Sequence, residues 1–460
     1  MIEDALYYAH INKEKFIDDL REFIRIKTIS TAPYHVREME KAANWLATTL
    51  KKSGCQKSRV YKTNGHPVVF GEYCSNHPHA QTLLIYGHYD VQPVDPIELW
   101  NSDPFESVIV NNYLFARGAS DMKGQVIASI KAIESVLNLK KEIPLNLKFI
   151  IEGEEEIGSP SLPEFLVSHK ELLQSDIALN PDAGMLSIST PAITYGLRGL
   201  AYFELRITGP TQDLHSGQFG GIIHNPAQAL CEVIAKMHDD QGRVTLSDFY
   251  ENVRSNSSEE RECLASHKQD DAVFLKQTGA KKLWGEKGYS AIERIGLRPT
   301  LEINGISSGF SGTGAKTVIP SSAMAKISMR LVPDQEPAKV RNQLEDFLKE
   351  NVPDTVQWEL IDLAGGPASL TNLNRQEVQA MVEALTTVWG QKPVFQRSGG
   401  SIPVVAQMQT CLGVDSILTG FGLPDDNIHA PNEKLHLPTW SGGIDAIIHF
   451  LYNLMELSVV

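Results

Sequence analysis

Imidazole and carboxylate side chains follow several short apolar runs of this sequence. The run Leu83-Leu84-Ile85-Tyr86, for example, is typical of a buried strand and ends just before His88 and Asp90. The segments of this kind are His88 to Asp90, Glu152 to Glu156, Asn180 to Asp182 and Thr419 to His429. Ligands of open α/β sheets bind at the carboxyl ends of the strands, so we expect these groups to converge on one rim.

The chemistry that these residue types can support is that of a divalent metal site. Imidazoles and carboxylates without a thiolate are ligands for Zn, Mn or Co in sites that stay open to water. His88 and Asp90 are two residues apart, so one can bind a metal while the other orients that ligand by a hydrogen bond. We expect Asp121 to bridge two ions. Glu155 and Glu156 point apart after a strand and can divide the roles of general base and ligand.

Each of these residues also has a structural interpretation that needs no ligand. His88 could be a partly buried loop histidine, and the acidic run Glu154 to Glu156 could be a solvated face. Asp121 could cap a helix, Asp182 could form a turn after proline, and His429 could lie on the surface. Their joint position after apolar strands favours the functional interpretation.

The elements around these residues alternate between strand and helix. An apolar strand at 82–86, a helix opened by Asp121 and a second strand at 145–151 form a right-handed crossover unit. The pattern returns after Pro367, with a helix and a strand within 375–418. We therefore predict an α/β fold with a doubly wound mixed sheet built from two pieces of the chain.

The segment between these pieces has a different pattern. Apolar and polar residues alternate over 195–207 and again over 322–332, as in half-exposed antiparallel strands, and a helix and a strand follow within 337–361. This pattern predicts a smaller inserted α+β domain. The predicted domains are residues 193–366 for the insertion, and 1–192 with 367–460 for the interrupted domain.

The composition is that of an ordinary globular chain. Its 460 residues include 42 Lys+Arg and 56 Asp+Glu, and the formal net charge of -14 argues against a nucleic-acid partner, whose phosphates need neutralising. No stretch reaches about 18 consecutive apolar residues, and the first residues do not read as a signal peptide. We therefore expect no membrane partner and a cytoplasmic location. The 5 cysteines lack a CxxC pattern, which predicts reduced thiols.

Two other kinds of site lack their sequence signatures. A serine hydrolase elbow, G-x-S-x-G, is absent, and no convincing strand precedes Gly399-Gly400-Ser401. Walker and Rossmann glycine motifs are absent too, and Gly309 to Gly314 is only superficially similar to one. We expect no nucleotide dependence.

Six motifs occur in order along the chain. They are His88-Tyr-Asp90, Ala119-Ser-Asp121-Met-Lys-Gly124, Glu152-Gly-Glu-Glu155-Glu156-Ile-Gly-Ser159, Asn180-Pro-Asp182-Ala-Gly, Asp213-Leu-His215-Ser-Gly and His429. In this order they resemble the aminoacylase, carboxypeptidase-G and carnosinase-like metallopeptidases. The resemblance runs over nearly the whole chain and includes a domain insertion where the family has one.

The resemblance implies a zinc-peptidase-like catalytic domain with two divalent ions, zinc first and Mn or Co as other options. The implied ligands are His88 and Asp182 for one metal, Glu156 and His429 for the other, and Asp121 as the bridge. Asp90 would orient His88. Glu155 would be the general base, taking a proton from a water that bridges the metals and passing it to the leaving amine. Glu154 would take no part.

The inserted domain resembles the family's lid and dimerisation domain, which implies a homodimer. His215 would stabilise the oxyanion in the partner subunit's active site, with a plain turn histidine as the alternative. Arg330 would hold a substrate carboxylate by a two-pronged contact, with an ordinary strand-surface arginine as the alternative. Gly400 and Ser401 resemble the family's substrate loop, which binds a carboxylate, and a plain tight turn is the alternative.

We therefore predict an enzyme that hydrolyses the amide bond of a small peptide, and specifically a dipeptidase. An N-acyl-amino-acid deacylase and a carboxypeptidase stay open as alternatives. Carnosinase-like members tend to carry an acid, a natural partner for a substrate amine, where this chain has Ser398. A catalytically silent binding protein is a third alternative, and the intact ligands and Glu155 argue against it.

Overall fold

The computed structural model describes residues 2–139, 142–255, 261, 271–400 and 402–458. The chain forms two compact units. The first comprises Met1–Tyr195, Thr371–Gln396 and Gln407–Val460, and the second comprises Gly196–Leu370 and Arg397–Ala406. Among the described residues, no helix combines the length and the apolar character that crossing a membrane would require.

Helices and strands alternate through most of the chain. The α-helices are α1 (Ile2–Ile11), α2 (Lys13–Ile24), α3 (Val36–Lys52), α4 (Lys123–Leu137), α5 (Leu162–Ser168), α6 (Lys170–Leu173), α7 (Ser216–Phe219), α8 (Pro226–Ala235), α9 (Asp271–Thr278), α10 (Ala291–Leu297), α11 (Pro337–Asn351), α12 (Gln376–Trp389), α13 (Pro403–Gln407) and α14 (Leu437–Leu457). The strands are β1 (Lys57–Tyr61), β2 (Val68–Tyr73), β3 (Gln81–His88), β4 (Val108–Val110), β5 (Tyr113–Phe115), β6 (Leu145–Glu152), β7 (Ile177–Asn180), β8 (Ala192–Leu197), β9 (Gly199–Thr208), β10 (Leu214–His215), β11 (Thr300–Ser308), β12 (Val318–Ile319), β13 (Ser322–Leu331), β14 (Gln357–Gly366), β15 (Ser369–Leu370), β16 (Val394–Ser398), β17 (Ser416–Leu418) and β18 (Lys434–His436).

The large sheet has the order β1-β2-β6-β3-β7-β17-β8-β15, with β16 paired to β8. Strand β3 runs parallel to β6 and β7, and β17 runs parallel to β7, whereas β1, β2 and β8 pair antiparallel. The predicted mixed, doubly wound α/β sheet is confirmed. Helix α4 is buried along nearly its whole length between β3 and α14, because its residues are mostly small or apolar.

The second unit contains a sheet of order β11-β13-β9-β14, in which neighbouring strands are antiparallel. On β9, Ala201, Phe203, Leu205 and Ile207 are buried against α8 and α11, whereas Tyr202 on the other face is half-buried. The alternation predicted from the sequence is therefore present. Burying a side chain the size of Phe, Leu or Ile contributes about 1.5–3 kcal/mol, and this face belongs to the core of the unit.

One segment of the second unit comes from an unexpected part of the chain. Residues 397–406 pack with the second unit, whereas the predicted domain boundaries placed them in the first. The reason is Arg198, whose backbone N–H donates to the carbonyl of Gly400 at 3.2 Å and whose Nε donates to the carbonyl of Gly399 at 3.1 Å. The expectation that no convincing strand precedes Gly399 is wrong, because β16 ends at Ser398.

Candidate metal centre

The strands of the large sheet bring the predicted ligands to one edge. Strands β3, β7 and β17 are neighbours and run parallel, so their carboxyl ends lie together. His88 is the last residue of β3, Asp182 comes two residues after β7, and His429 lies in the segment after β17. Glu155 and Glu156 follow β6, which is parallel to β3. The short apolar runs thus position the polar residues that follow them.

Asp121 lies between two imidazoles. Its Oδ1 is 3.2 Å from Nε2 of His88, and its Oδ2 is 2.9 Å from Nε2 of His429. Two groups of side chains that could each hold a metal ion share this aspartate. The groups are His88, Asp121 and Asp182, and Asp121, Glu156 and His429. This arrangement gives Asp121 the geometry of a bridging carboxylate between two cation positions.

Asp121 does not cap a helix, which was the structural alternative for it. Helix α4 begins at Lys123, two residues later than predicted, and the residue at its cap is Met122, joined to Asp121 by a cis peptide bond. The backbone N–H of Asp121 donates instead to the carboxylate of Glu433 at 3.0 Å. The Asp121 side chain is therefore directed to the imidazoles and not to the helix end.

Glu433 organises the loop that carries Asp121. Its fully buried carboxylate accepts the backbone N–H groups of Gly118, Ser120 and Asp121 and a side-chain N–H of Arg117, at 2.8–3.0 Å. Sequence reasoning missed this residue. Glu433 is 312 positions from Asp121, and no local pattern of the sequence connects the two.

Asp90 and the backbone near it fix the orientation of His88. Nδ1 of His88 is 3.1 Å from the carbonyl oxygen of Asp90 and 3.4 Å from its Oδ1. Because a carbonyl only accepts, Nδ1 must be the donor, which leaves Nε2 for a metal. The Asp90 carboxylate also accepts the backbone N–H groups of Glu155 and Glu156 at 3.2 and 3.1 Å. One buried aspartate thus holds both the histidine and the acidic turn.

The three consecutive acids after β6 differ in their contacts. Glu154 is buried and accepts the backbone N–H groups of His66 and Ser161, so it holds its own loop together. Glu156 accepts a hydrogen bond from the Gln92 side chain at 2.9 Å. Burial, reinforced by neighbouring carboxylates, raises the pKa of Glu155 to about 7. A carboxylate with that pKa can exchange a proton near neutral pH.

The charges at this edge depend strongly on one another. Burial opposes ionisation of Asp121, but hydrogen bonds from His429 and His88 bring its pKa below the ordinary value. Hydrogen bonds to Asp121 and Glu156 raise the pKa of His429 to about 10, and burial raises the pKa of Asp182 well above its usual range. Carboxylates and imidazoles are ligands for divalent cations, and this donor set fits two of them.

The other predicted residues lie in the second unit. Arg330 is on β13, between Thr300 of β11 and Leu200 of β9. The carbonyl of Gly400 accepts the backbone N–H of Arg198. Ser401, the remaining predicted substrate contact, lies outside the described residues. The structure brings the predicted ligands, Asp90 and the acidic run together in the first unit.

His215 is exposed and lies at the end of β10, directly before the short helix α7. Its Nδ1 accepts the backbone N–H of Gly217 at 2.9 Å, as in the turn histidine of the structural alternative. A neutral imidazole that accepts at Nδ1 carries its proton on Nε2. The turn therefore also prepares Nε2 as a hydrogen-bond donor, which is what stabilisation of an oxyanion requires.

Comparison with known proteins places this geometry in a family. Residues 84–453 match Peptidase family M20/M25/M40. The chain belongs to this family. It is 30% identical to the Beta-Ala-His dipeptidase of Homo sapiens over an alignment of 476 positions, gaps included, that covers 99% of this chain and 93% of that protein. It is 32% identical to the Cys-Gly metallodipeptidase DUG1 of Candida albicans over an alignment of 461 positions, gaps included, that covers 96% of this chain and 94% of that protein.

A solved M20 structure agrees with the fold. The crystal structure of the M20 family metallo-carboxypeptidase Sso-CP2 from Sulfolobus solfataricus matches with a TM-score of 0.86 and 34% identity, over 96% of this chain and 99% of that chain. The predicted family, the mixed α/β fold and the assignment to peptidase-type hydrolases are confirmed.

Proposed function

We propose that this M20 chain is a metal-dependent dipeptidase. The observation that carries the proposal is Asp121, whose two oxygens face His88 and His429, with Glu155 following β6 at the same edge of the sheet. The two curated relatives described above, both named as dipeptidases, support the choice of substrate class. The proposed metals are two zinc ions, with manganese or cobalt as alternatives.

The chain's own residues divide the work of hydrolysis. His88 and Asp182 would hold one cation, Glu156 and His429 the other, and Asp121 both. Such a pair of cations lowers the pKa of water and polarises a carbonyl when bound. Glu155 takes a proton from the attacking water and returns it to the leaving amine. Asp90 keeps His88 in the tautomer that leaves Nε2 for the metal.

The second unit supplies the proposed substrate contacts. Arg330 holds the terminal carboxylate of the substrate, and the loop with Gly400 and Ser401 contributes further donors. His215 donates from Nε2 to the developing oxyanion. We propose that this histidine serves the other subunit of a homodimer assembled through the second unit, and that the enzyme works in the cytoplasm.

A carboxypeptidase is the second candidate. It is favoured by the TM-score of 0.86 to the metallo-carboxypeptidase from Sulfolobus solfataricus. A carboxypeptidase or an N-acyl-amino-acid deacylase uses the same cations and base but needs no acid for a free substrate amine. Ser398, which is not an acid, is compatible with both.

Turnover of one dipeptide and of its N-acetylated form separates these functions. The protein is loaded with zinc or with manganese, and a chelator-treated sample is the control. Chelator-sensitive cleavage of the free dipeptide alone is expected for a dipeptidase. Preference for the acetylated compound would assign a deacylase or carboxypeptidase, and the absence of cleavage of either would contradict the proposal.

A further inference from the structure

The second unit contains a cavity of about 380 Å³ between its sheet and helix α10. This volume lies within the range of small-molecule sites. The charged residues of its described lining are Arg198, Arg294, Arg298, Arg330, Glu286 and Glu302. Four guanidinium groups therefore face two carboxylates. The cavity wall thus has a local excess of positively charged groups, although the formal net charge of the chain is -14.

The hydrogen bonds show which of these charges are neutralised within the cavity wall. Arg298 donates to both oxygens of Glu286 at 2.7 Å, and both side chains are buried, so this pair is neutral overall. Arg294 donates to the backbone carbonyls of Glu286 and Trp284, at 2.9 and 3.3 Å. A carbonyl orients a guanidinium without cancelling its charge, so the charge of Arg294 still acts on the cavity.

Arg198 and Glu302 complete the wall. Arg198 donates to the carbonyl of Gly399, and burial lowers its pKa to about 10, so it stays charged at neutral pH. Burial raises the pKa of Glu302, which can only reduce the negative charge of the cavity. His238 also lines the cavity, but burial lowers its pKa and it adds no charge near pH 7. Guanidinium groups therefore outnumber carboxylates in the described lining by two, and the pKa shifts of Arg198, Glu302 and His238 do not reduce this excess at neutral pH.

The strand register places Arg330 on the face of the sheet that borders this cavity. Thr300 pairs with Arg330 and Glu302 pairs with Ser328, and all four residues line the cavity. Side chains two residues apart on a strand point to the same face. A ligand carboxylate held by Arg330 would thus have the rest of the cavity next to it.

We propose that this cavity receives the side chain of the substrate's C-terminal residue and selects an acidic one, so that the preferred substrates end in Glu or Asp. This inference rests on the proposed function, because it takes Arg330 as the group that holds the terminal carboxylate. Of the two guanidinium groups in excess, one then pairs with the terminal carboxylate of the substrate and the other with its side-chain carboxylate. Electrostatic complementarity of this kind favours an acid over its neutral amide.

Kinetics on Ala-Glu, Ala-Gln and Ala-Lys with the metal-loaded enzyme test the preference. We expect kcat/KM to be about tenfold higher for Ala-Glu than for Ala-Gln, mainly through KM, and lowest for Ala-Lys. Equal values for Ala-Glu and Ala-Gln, or a preference for Ala-Lys, would overturn the proposal.

Two variants link the preference to the cavity. Glu302→Gln should raise the ratio of kcat/KM for Ala-Glu to that for Ala-Gln about threefold, and Arg294→Gln should lower it about fivefold, since each changes one charge by one unit. Misfolding would lower turnover of both substrates together and leave the ratio unchanged. Glu350→Gln, at an exposed position on α11, is the matched control and should not change the ratio. Unchanged ratios in both cavity variants, with turnover of Ala-Gln kept, would overturn the assignment.

Titration of the metal-free protein with amino acids tests the cavity independently of the proposed dipeptidase activity. Trp284 lines the cavity and is 67% exposed, so its fluorescence can report on occupancy, with Trp284→Phe as the blank. L-glutamate should bind at least about tenfold more tightly than L-glutamine, and added salt should weaken the binding of L-glutamate. If no dipeptide is cleaved, the proposed function fails while this titration still decides the cavity. Equal binding of the two amino acids would overturn the cavity proposal even for an active dipeptidase.

Discussion

At the scale of single residues, the environments of the consecutive acids Glu154 to Glu156 distinguish their proposed roles. Glu154 is 4% exposed and accepts two backbone N–H groups, so its carboxylate holds its own loop together. Glu156 is 3.2 Å from Nε2 of His429, as a ligand to the same ion would be. Glu155 is left with a pKa of about 7 and no ligand role in either metal group. The environments therefore favour Glu155 as the base.

Replacing Glu155 by alanine should separate metal binding from turnover. Glu155→Ala is expected to keep two bound metals and to lose about 10²–10⁴ in kcat, the usual contribution of a general base. Asp121→Ala should lose both metal and activity, because it removes the shared ligand. Metal content by mass spectrometry and steady-state kinetics are the measurements. The exposed Glu171→Ala should behave as wild type, and a near-normal rate in metal-loaded Glu155→Ala would refute the base assignment.

Zinc binding to the metal-free protein should release protons. The pKa of His429 is raised to about 10, so this imidazole is protonated at pH 7.5 and must lose its proton to bind a metal. The apparent affinity should therefore rise as pH increases toward 10 and fall as pH decreases. Calorimetry at pH 7.5 in two buffers of different ionisation enthalpy measures the release. His215→Ala, outside the metal groups, should give the same value, and zero release by the wild type would contradict the assignment.

At the scale of elements, a loop and not a regular strand presents the bridging residue. The segment from Arg117 to Asp121 precedes α4 and is held by four N–H donors that converge on Glu433. A buried carboxylate with that many donors is a strong anchor, and its removal would leave the donors buried without an acceptor. Glu433 is thus a positioning residue for Asp121.

Substitution of Glu433 should weaken metal binding without touching a ligand. Glu433→Ala is expected to lower zinc affinity about 10–100-fold, the usual effect of losing an outer partner of a metal site, and to destabilise the fold. Glu433→Gln keeps one acceptor oxygen and should recover part of the affinity. Zinc titration and thermal unfolding are measured together, with the exposed Glu456→Ala on α14 as control. Loss of stability with unchanged zinc affinity would show a purely structural role.

The elements also show where prediction from sequence reaches its limit. His88, Asp182 and the acidic run were predictable, because each stands just after an apolar strand, and that signal is local. Strand β16 was not, because all five of its residues are half-buried and show no alternation. The contacts of Glu433 and Arg198 were not predictable either, because they join residues far apart in the chain. Such contacts form only when the chain folds, and no local sequence pattern predicts them.

At the scale of the whole molecule, the proposed homodimer with shared sites can be tested by mixing inactive variants. His215→Ala and Asp121→Ala should each be nearly inactive alone. If His215 serves the other subunit, one site of a mixed dimer keeps all its groups, and up to about half of the activity of a wild-type dimer should return. Mixed dimers are verified by two different affinity tags, and re-mixed Asp121→Ala alone is the control. No recovery in verified mixed dimers would place His215 in its own subunit's site.

The position of β17 has a consequence for how the chain is made. This strand lies between β7 and β8, although it comes more than two hundred residues after them. When only about the first three hundred residues have left the ribosome, the sheet lacks β17. The edges of β7 and β8 that will pair with β17 are then unpaired and exposed. A nascent chain halted before Ser416 should aggregate, whereas one halted after Leu418 carries every strand of that sheet.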